Sequence, residues 1–163
     1  MLVLVKGAGD LATGTAVRLY RAGFRVVMTE IDRPTAVRRT VAFSQCMYDG
    51  TAVVEGVTAR RAADREEAKA ILAAGEIPVL CDPQAAILKQ MPFDGVVDGV
   101  LAKVNLGTAI TDAPIVLALG PGFTAGVDCH GVVETKRGHD LGRLILEGSA
   151  IPTQFCYLKG YGE

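Results

Sequence analysis

The chain has 163 residues, 50% of them hydrophobic and 21% charged, with 17 Lys plus Arg against 18 Asp plus Glu and a formal net charge of −1. That length suits one domain burying about 70% of the surface its unfolded chain exposes, so a core needs no disulfide or metal staple. Balanced, scattered charge argues against nucleic acid or an anionic membrane as partner; no apolar run approaches the ~20 residues of a membrane span, and MLVLVKGAG is too short for a signal-peptide core.

The cysteines, Cys46, Cys81, Cys129 and Cys156, lie far apart with no C-x-x-C pair, and read as reduced thiols of a cytoplasmic protein. The first apolar run, Leu2 to Val5, predicts a buried strand. It empties into GAGDLATG, where Gly7, Gly9 and Ala12 follow the order G-x-G-x-x-A. Leu11 to Ala22 carries Ala12, Ala16 and Leu19 at helical spacing, and Gly23 stands where a C-terminal cap belongs. A second strand, Phe24 to Met28, leads to Glu30.

This β-α-β order is the context a dinucleotide fingerprint requires. Gly7 makes the tight turn, Gly9 lets backbone N–H groups reach a pyrophosphate, and Ala12 keeps helix close to strand. Thr13 and Gly14 complete the loop, and the Glu30 carboxylate is placed for ribose hydroxyls. Asp10 beside a pyrophosphate would repel it unless it turns away to cap the helix. Glu30 favours NAD over NADP, although Arg33 is near enough to soften that preference. FAD and S-adenosylmethionine sites use similar loops, so the cofactor stays open. The alternative is a plain strand-to-helix turn capped by Asp10.

Further along, Thr51 to Arg60 alternates weakly and suggests an edge hairpin or extra strand. Asp64 to Ala74 predicts a solvent-facing helix with Asp64 as N-cap and Gly75 closing it. Strands are expected at Ile77 to Leu80, Gly95 to Val100, Ile115 to Leu119 and Val132 to Glu134, with a short helix over 83–91. Together these predict an α/β chain: one three-layer Rossmann-like domain with a mostly parallel sheet, spanning residues 1–163.

Residues 120–142 hold six glycines and both histidines, His130 and His139. A strand emptying into Gly120, Pro121 and Gly122 repeats the logic of the first loop. Both loops are expected on one sheet edge, as two walls of one cleft. Phe123, Thr124, Asp128, His130 and Glu134 then supply contacts, and Lys103, Lys136, Arg137 or Arg143 balance a phosphate. The alternative is an ordinary irregular loop with solvated charges. Asp128, Cys129, His130, Glu134 and His139 are metal-ligating types, but no pair has a recognised ligand spacing, so no metal is expected. Cys129 beside His130 suggests an activated thiol, although neighbours on a strand point to opposite faces.

Four stretches carry a family likeness: VKGAGDLATG, RLYRAGFRVVMTEIDRPTAVRRTVAF, DAPIVLALGPGFTAGVDCHGVVETKRGHDLGR and EGSAIP. From about Val3 to Pro152 the chain resembles the accessory proteins of selenium-dependent molybdenum hydroxylases, of the YqeB type. The resemblance implies a Rossmann-like domain akin to that of the xanthine dehydrogenase accessory (XdhC-type) proteins. It also implies a molybdenum hydroxylase as partner, and a role in its maturation through the molybdopterin cofactor or the labile selenium. Gly7, Gly9, Asp10, Gly14, Thr29, Glu30, Gly120, Gly122, Asp128, His130, Glu134, Arg137 and His139 match its motif positions, and no catalytic residue is implied. NAD and molybdopterin dinucleotide are the candidate cofactors, and a homo-oligomer is an open expectation. Two departures stand out. The family's C-terminal region is expected to be absent or replaced after about residue 152, and DGVLAKVNLGT (98–108) carries less positive charge than the family form, which weakens a role for Lys103. Rival readings are an NAD-dependent oxidoreductase using His130 or His139 as acid or base, and a nucleotide-sensing module. A hydride-transfer enzyme normally adds a substrate region, for which 163 residues leave little room.

Overall fold

The computed structural model describes residues 1–152; the altered tail and Cys156 lie outside the described residues. Its first strand, β1 (Leu2–Lys6), is buried along its whole length. Leu2 and Leu4 face one apolar cluster, Val3 and Val5 the other, as the alternation of a strand covered on both faces requires. Helix α1 (Asp10–Arg21) and β2 (Arg25–Glu30) complete the opening β-α-β unit.

The weak alternation near residue 55 is a hairpin: β3 (Thr51–Val54) and β4 (Val57–Ala62) pair antiparallel. Glu55 and Gly56 between them both have positive φ, the geometry of a tight two-residue turn. A single helical turn, α2 (Cys46–Asp49), precedes the hairpin. Helix α3 (Arg65–Ala73) is capped by Asp64, whose carboxylate accepts the Glu67 N–H at 2.9 Å. It leads into β5 (Ile77–Cys81). The short helix expected over 83–91 is only a 3-10 turn at Ala86–Lys89. Both Asp82 carboxylate oxygens accept backbone N–H groups there, from Ala86 and Ile87, which favours a tight turn over a propagating helix.

The remaining strands are β6 (Gly95–Asp98), β7 (Ile115–Leu119), β8 (Gly131–Val133) and β9 (Leu144–Ile145). All nine form one sheet in the order β3-β4-β5-β2-β1-β6-β7-β8-β9, parallel except at the outer pairs β3/β4 and β8/β9. Helix α1 with Phe43, Cys46 and Met47 covers one face; α3 and the 3-10 turn with Ile87 cover the other. The fold is therefore a three-layer α/β, Rossmann-like domain with a mostly parallel sheet. Beyond β6, the crossovers 99–114 and 120–130 contain no helix. Chain order reverses between β1 and β6, which places a topological switch point beside the first glycine loop. No helix among the described residues is long and apolar enough to cross a membrane.

Candidate functional site

At this switch point a cleft of about 510 Å³ opens between the turn after β1 (Gly7, Gly9, Asp10, Leu11), the segment after β2 (Glu30 to Arg38) and the turn after β6 (Gly99 to Leu101). Its floor depends on close backbone approach. Gly7 has φ +86, and a Cβ there would stand 3.1 Å from the Gly99 carbonyl oxygen. A Cβ on Gly99 would in turn meet the Ala12 Cβ at 3.0 Å. Ala12 thus keeps helix and sheet in contact, the role its spacing predicted.

Gly9 differs. Its backbone is ordinary, with φ −65 and ψ −178, and a Cβ there would meet no protein atom within 4 Å. The protein's own packing does not require glycine at this position; a side chain would project into the cleft. Among the described residues, the N–H groups of Gly9 and Asp10 meet no protein acceptor. They stand at the positive end of a 12-residue helix.

Glu30 stands at the end of β2 as expected. Its Oε2 accepts the Ala8 N–H at 2.9 Å and its Oε1 the Ile31 N–H at 2.8 Å. Each carboxylate oxygen can accept a further bond, so the acid both braces the glycine turn and still offers an acceptor to the cleft.

Asp10 does not cap the helix. Gly9 holds the cap position, and Asp10 is the first helical residue. Its Oδ1 accepts the Leu11 N–H, and its Oδ2 pairs with Arg38 at 2.6 Å. Arg38, unremarked in the sequence, offsets the charge that would otherwise repel a phosphate. The wall that carries Arg38 is fastened by the Tyr48 hydroxyl, which donates to the Pro34 carbonyl at 2.7 Å, and by Arg39 lying 5.0 Å from the Tyr48 ring centre. Thr13 is buried; its hydroxyl donates to the Ala8 carbonyl and accepts from the Phe43 N–H. It fixes the turn from behind, away from the cleft. Gly14 is exposed on α1 and lines a neighbouring pocket with Val17, Thr40 and Val53.

The second glycine loop leaves the same sheet edge, but it does not line this cleft. A Cβ on Gly120 would stand 2.7 Å from the Thr135 Oγ1, and one on Gly122 would fall 2.6 Å from the Lys103 backbone. These glycines let the chain pack beneath the 99–104 turn, whose Leu101 does line the cleft. The loop's other residues serve the same packing. Phe123 is in the core. The Asp128 carboxylate accepts the Thr124 N–H at 2.7 Å, and the Thr124 hydroxyl meets that of Ser149.

Glu134 is buried, accepting the N–H groups of Lys136 and Ile151. Burial pushes its carboxyl up, but the backbone N–H groups of Ile151, Lys136 and Thr135 outweigh it and hold the pKa below the ordinary carboxylate value. His130 precedes β8, at the opposite edge of the sheet, where its Nδ1 accepts the Val116 N–H at 3.0 Å. Parallel strands dictate this: a residue entering β8 and one leaving β7 stand at opposite ends. Arg137 and His139 are exposed in the 134–143 turn.

Among the described residues, no group of three His, Cys, Asp or Glu is placed to hold a metal. Cys46 and Cys129 are buried, and burial raises both thiols, Cys46 to about 11. Such thiols are unreactive. Cys81, at the end of β5, is exposed.

The chain is similar to the uncharacterized protein YqeB of Escherichia coli (strain K12). The two are 54% identical over 149 residues, which is 91% of this chain and 28% of YqeB. The chain therefore spans well under a third of that relative's length. No family model matches it, and no solved structure does.

Proposed function

We propose that this protein is an accessory, maturation-type factor of a molybdenum hydroxylase system and that it binds a nucleotide-bearing cofactor in the cleft after β1. The observation that carries the binding half is Gly9: a glycine for which the fold has no use, beside free N–H groups at a helix N-terminus. These residues fit the pyrophosphate of NAD or of molybdopterin dinucleotide, with Glu30 as acceptor for a ribose hydroxyl and Arg38 as countercharge. The molybdenum and selenium half rests on the motif resemblance of the glycine loops and of the 112–143 stretch. A carrier has to hold its cargo and release it, which calls for reversible binding at a cleft such as this one.

Calorimetry with NAD, FAD, S-adenosylmethionine and cytidine nucleotides tests the binding half. At least one should bind, and Gly9→Val should weaken it about a hundredfold, near 2.7 kcal/mol, while melting like the native protein. Equal binding by the variant, or none by the native protein, sinks this half. For the biological half, cells lacking the protein should make the hydroxylase polypeptide at normal levels but with deficient molybdenum or selenium. Full metal content and full activity in those cells would overturn it.

A further inference from the structure

Across the sheet edge from this cleft, on the face opposite α1, three charged or polar side chains are buried where the sequence shows only strand ends. Lys6 closes β1 and Asp98 closes β6. They are direct partners in the parallel ladder, so their side chains lie on one face, and Thr29 is the partner of Lys6 on its other side. Lys6 is 6% exposed, Asp98 2% and Thr29 3%. The ammonium stands 3.6 Å from the Asp98 carboxylate. Between them lies the Thr108 hydroxyl, which accepts from Lys6 and donates to Asp98.

Thr108 is held in place by Asn105, whose amide oxygen accepts the N–H groups of Gly107 and Thr108 and whose amide nitrogen donates to the Thr108 carbonyl. A buried ion pair is weak support for stability, since apolar residues of similar volume usually serve as well. This pair also has a cavity beside it, of about 210 Å³, whose wall includes Lys6, Thr29, Gln84, Asp98, Val100 and Leu106. The cavity shares Gly7, Glu30, Ile31 and Val100 with the nucleotide cleft.

From this geometry we infer that the cavity is a second subsite, which takes a neutral, carbonyl-bearing ring and binds its oxygen through the Lys6 ammonium. An ammonium has three N–H donors. Among the described residues, the Thr108 hydroxyl takes one of them, while Asp98, at 3.6 Å, pairs by charge and lies beyond hydrogen-bond distance. The others are left for an acceptor in the cavity. Charge decides which acceptor. Lys6 is already neutralised by Asp98, and Glu30 adds a further negative charge to the wall, so a carboxylate or phosphate would enter a net-negative pocket at a desolvation penalty. A neutral carbonyl avoids that repulsion. Size points the same way: the cavity is smaller than the ~300 Å³ at which pockets for extended ligands begin, and Val100, Leu106, Ile31 and Pro83 give it apolar walls for a flat ring. The inference rests on the nucleotide reading only for what would carry the ring to this place; the subsite itself is a property of Lys6 and its neighbours.

Nicotinamide and uracil serve as neutral probes and nicotinate as the charged isostere of the first. Lysine side-chain NMR of the full chain reads the Lys6 signal, assigned by its loss in a Lys6→Met variant. Nicotinamide or uracil should shift that signal saturably, and nicotinate should bind about tenfold more weakly or worse. Leu106→Trp adds bulk at the cavity wall while leaving both charged residues in place, and should abolish the shift. The paired change Lys6→Met with Asp98→Asn removes both charges together and should lose the same binding, as judged by protein-observed methyl shifts at Val100. The proposal falls if neither neutral probe moves the Lys6 signal, if nicotinate binds as well as nicotinamide, or if Leu106→Trp binds like the native protein. Nucleotide binding without any probe effect overturns this subsite alone. Probe effects without nucleotide binding overturn only the reading of the larger cleft.

Discussion

Gly122→Ala is expected to destabilise the protein by about 3 kcal/mol or more, a fall in melting temperature on the order of 10 °C for a chain of this size. Two independent penalties coincide at this residue. Its φ of +107 is a conformation that alanine rarely adopts, and the added methyl carbon would fall 2.6 to 2.7 Å from the backbone of Lys103 and Val104. Backbone cannot swing aside as a flexible side chain can. Moreover, the segment that would have to yield already holds Leu101 and Lys103 at positive φ, so it has little slack. Gly9→Ala is the matched control. With an ordinary φ and no atom within 4 Å of the new carbon, it should melt within about 0.5 kcal/mol of the native protein. Near-equal melting of the two variants would show that the Gly122 contact is not tight.

Glu134→Gln should cost about 2 kcal/mol at neutral pH, because a buried charged acceptor is replaced by an amide that presents one acceptor oxygen where two N–H groups need partners. The effect should depend on pH with a definite sign. The Glu134 carboxyl is held below its ordinary value in the folded protein, so the unfolded chain takes up its proton first as acid is added. The stabilisation from this group is fully present above the ordinary glutamate pKa of about 4.3 and is lost as pH falls through the depressed folded value. The native protein and the variant should therefore differ most above that range and converge below it. Denaturant midpoints measured from neutral to acidic pH provide the check. Parallel curves would mean that the carboxylate is not what the loop depends on.

These two residues also mark where the sequence misleads. Gly122 and Glu134 sit among histidines and charged groups, and that density reads as a binding wall. Yet glycine has two distinct uses, admitting a ligand and admitting the protein's own backbone, and the letters are identical in both cases. At Gly122 the second use applies; at Gly9 the protein's own backbone makes no such demand. What separates them is the 99–104 turn, a partner remote in sequence. The β-α-β opening was legible because its signals are local: an apolar run, glycines at fixed spacing, a helical period and an acid one strand later. The absence of helices from the crossovers 99–114 and 120–130 was not, since a parallel crossover can be made by irregular chain that no period announces. His130 was misplaced for a related reason. Its distance from Gly120 along the chain is short, but strand direction carries it to the far edge. Arg38 and the Lys6–Asp98 pair gave only faint signals, a cation in a loop and single charges ending apolar runs.

The hydrogen bond from the Ile151 N–H to Glu134 has a practical side for anyone dividing a longer polypeptide into pieces. A fragment cut just behind β9 would retain all nine strands of the described residues and still lack the donor that covers one oxygen of a buried carboxylate. The usable boundary therefore lies past Ile151, six residues after the last strand ends at Ile145. Strand count alone would put it too early.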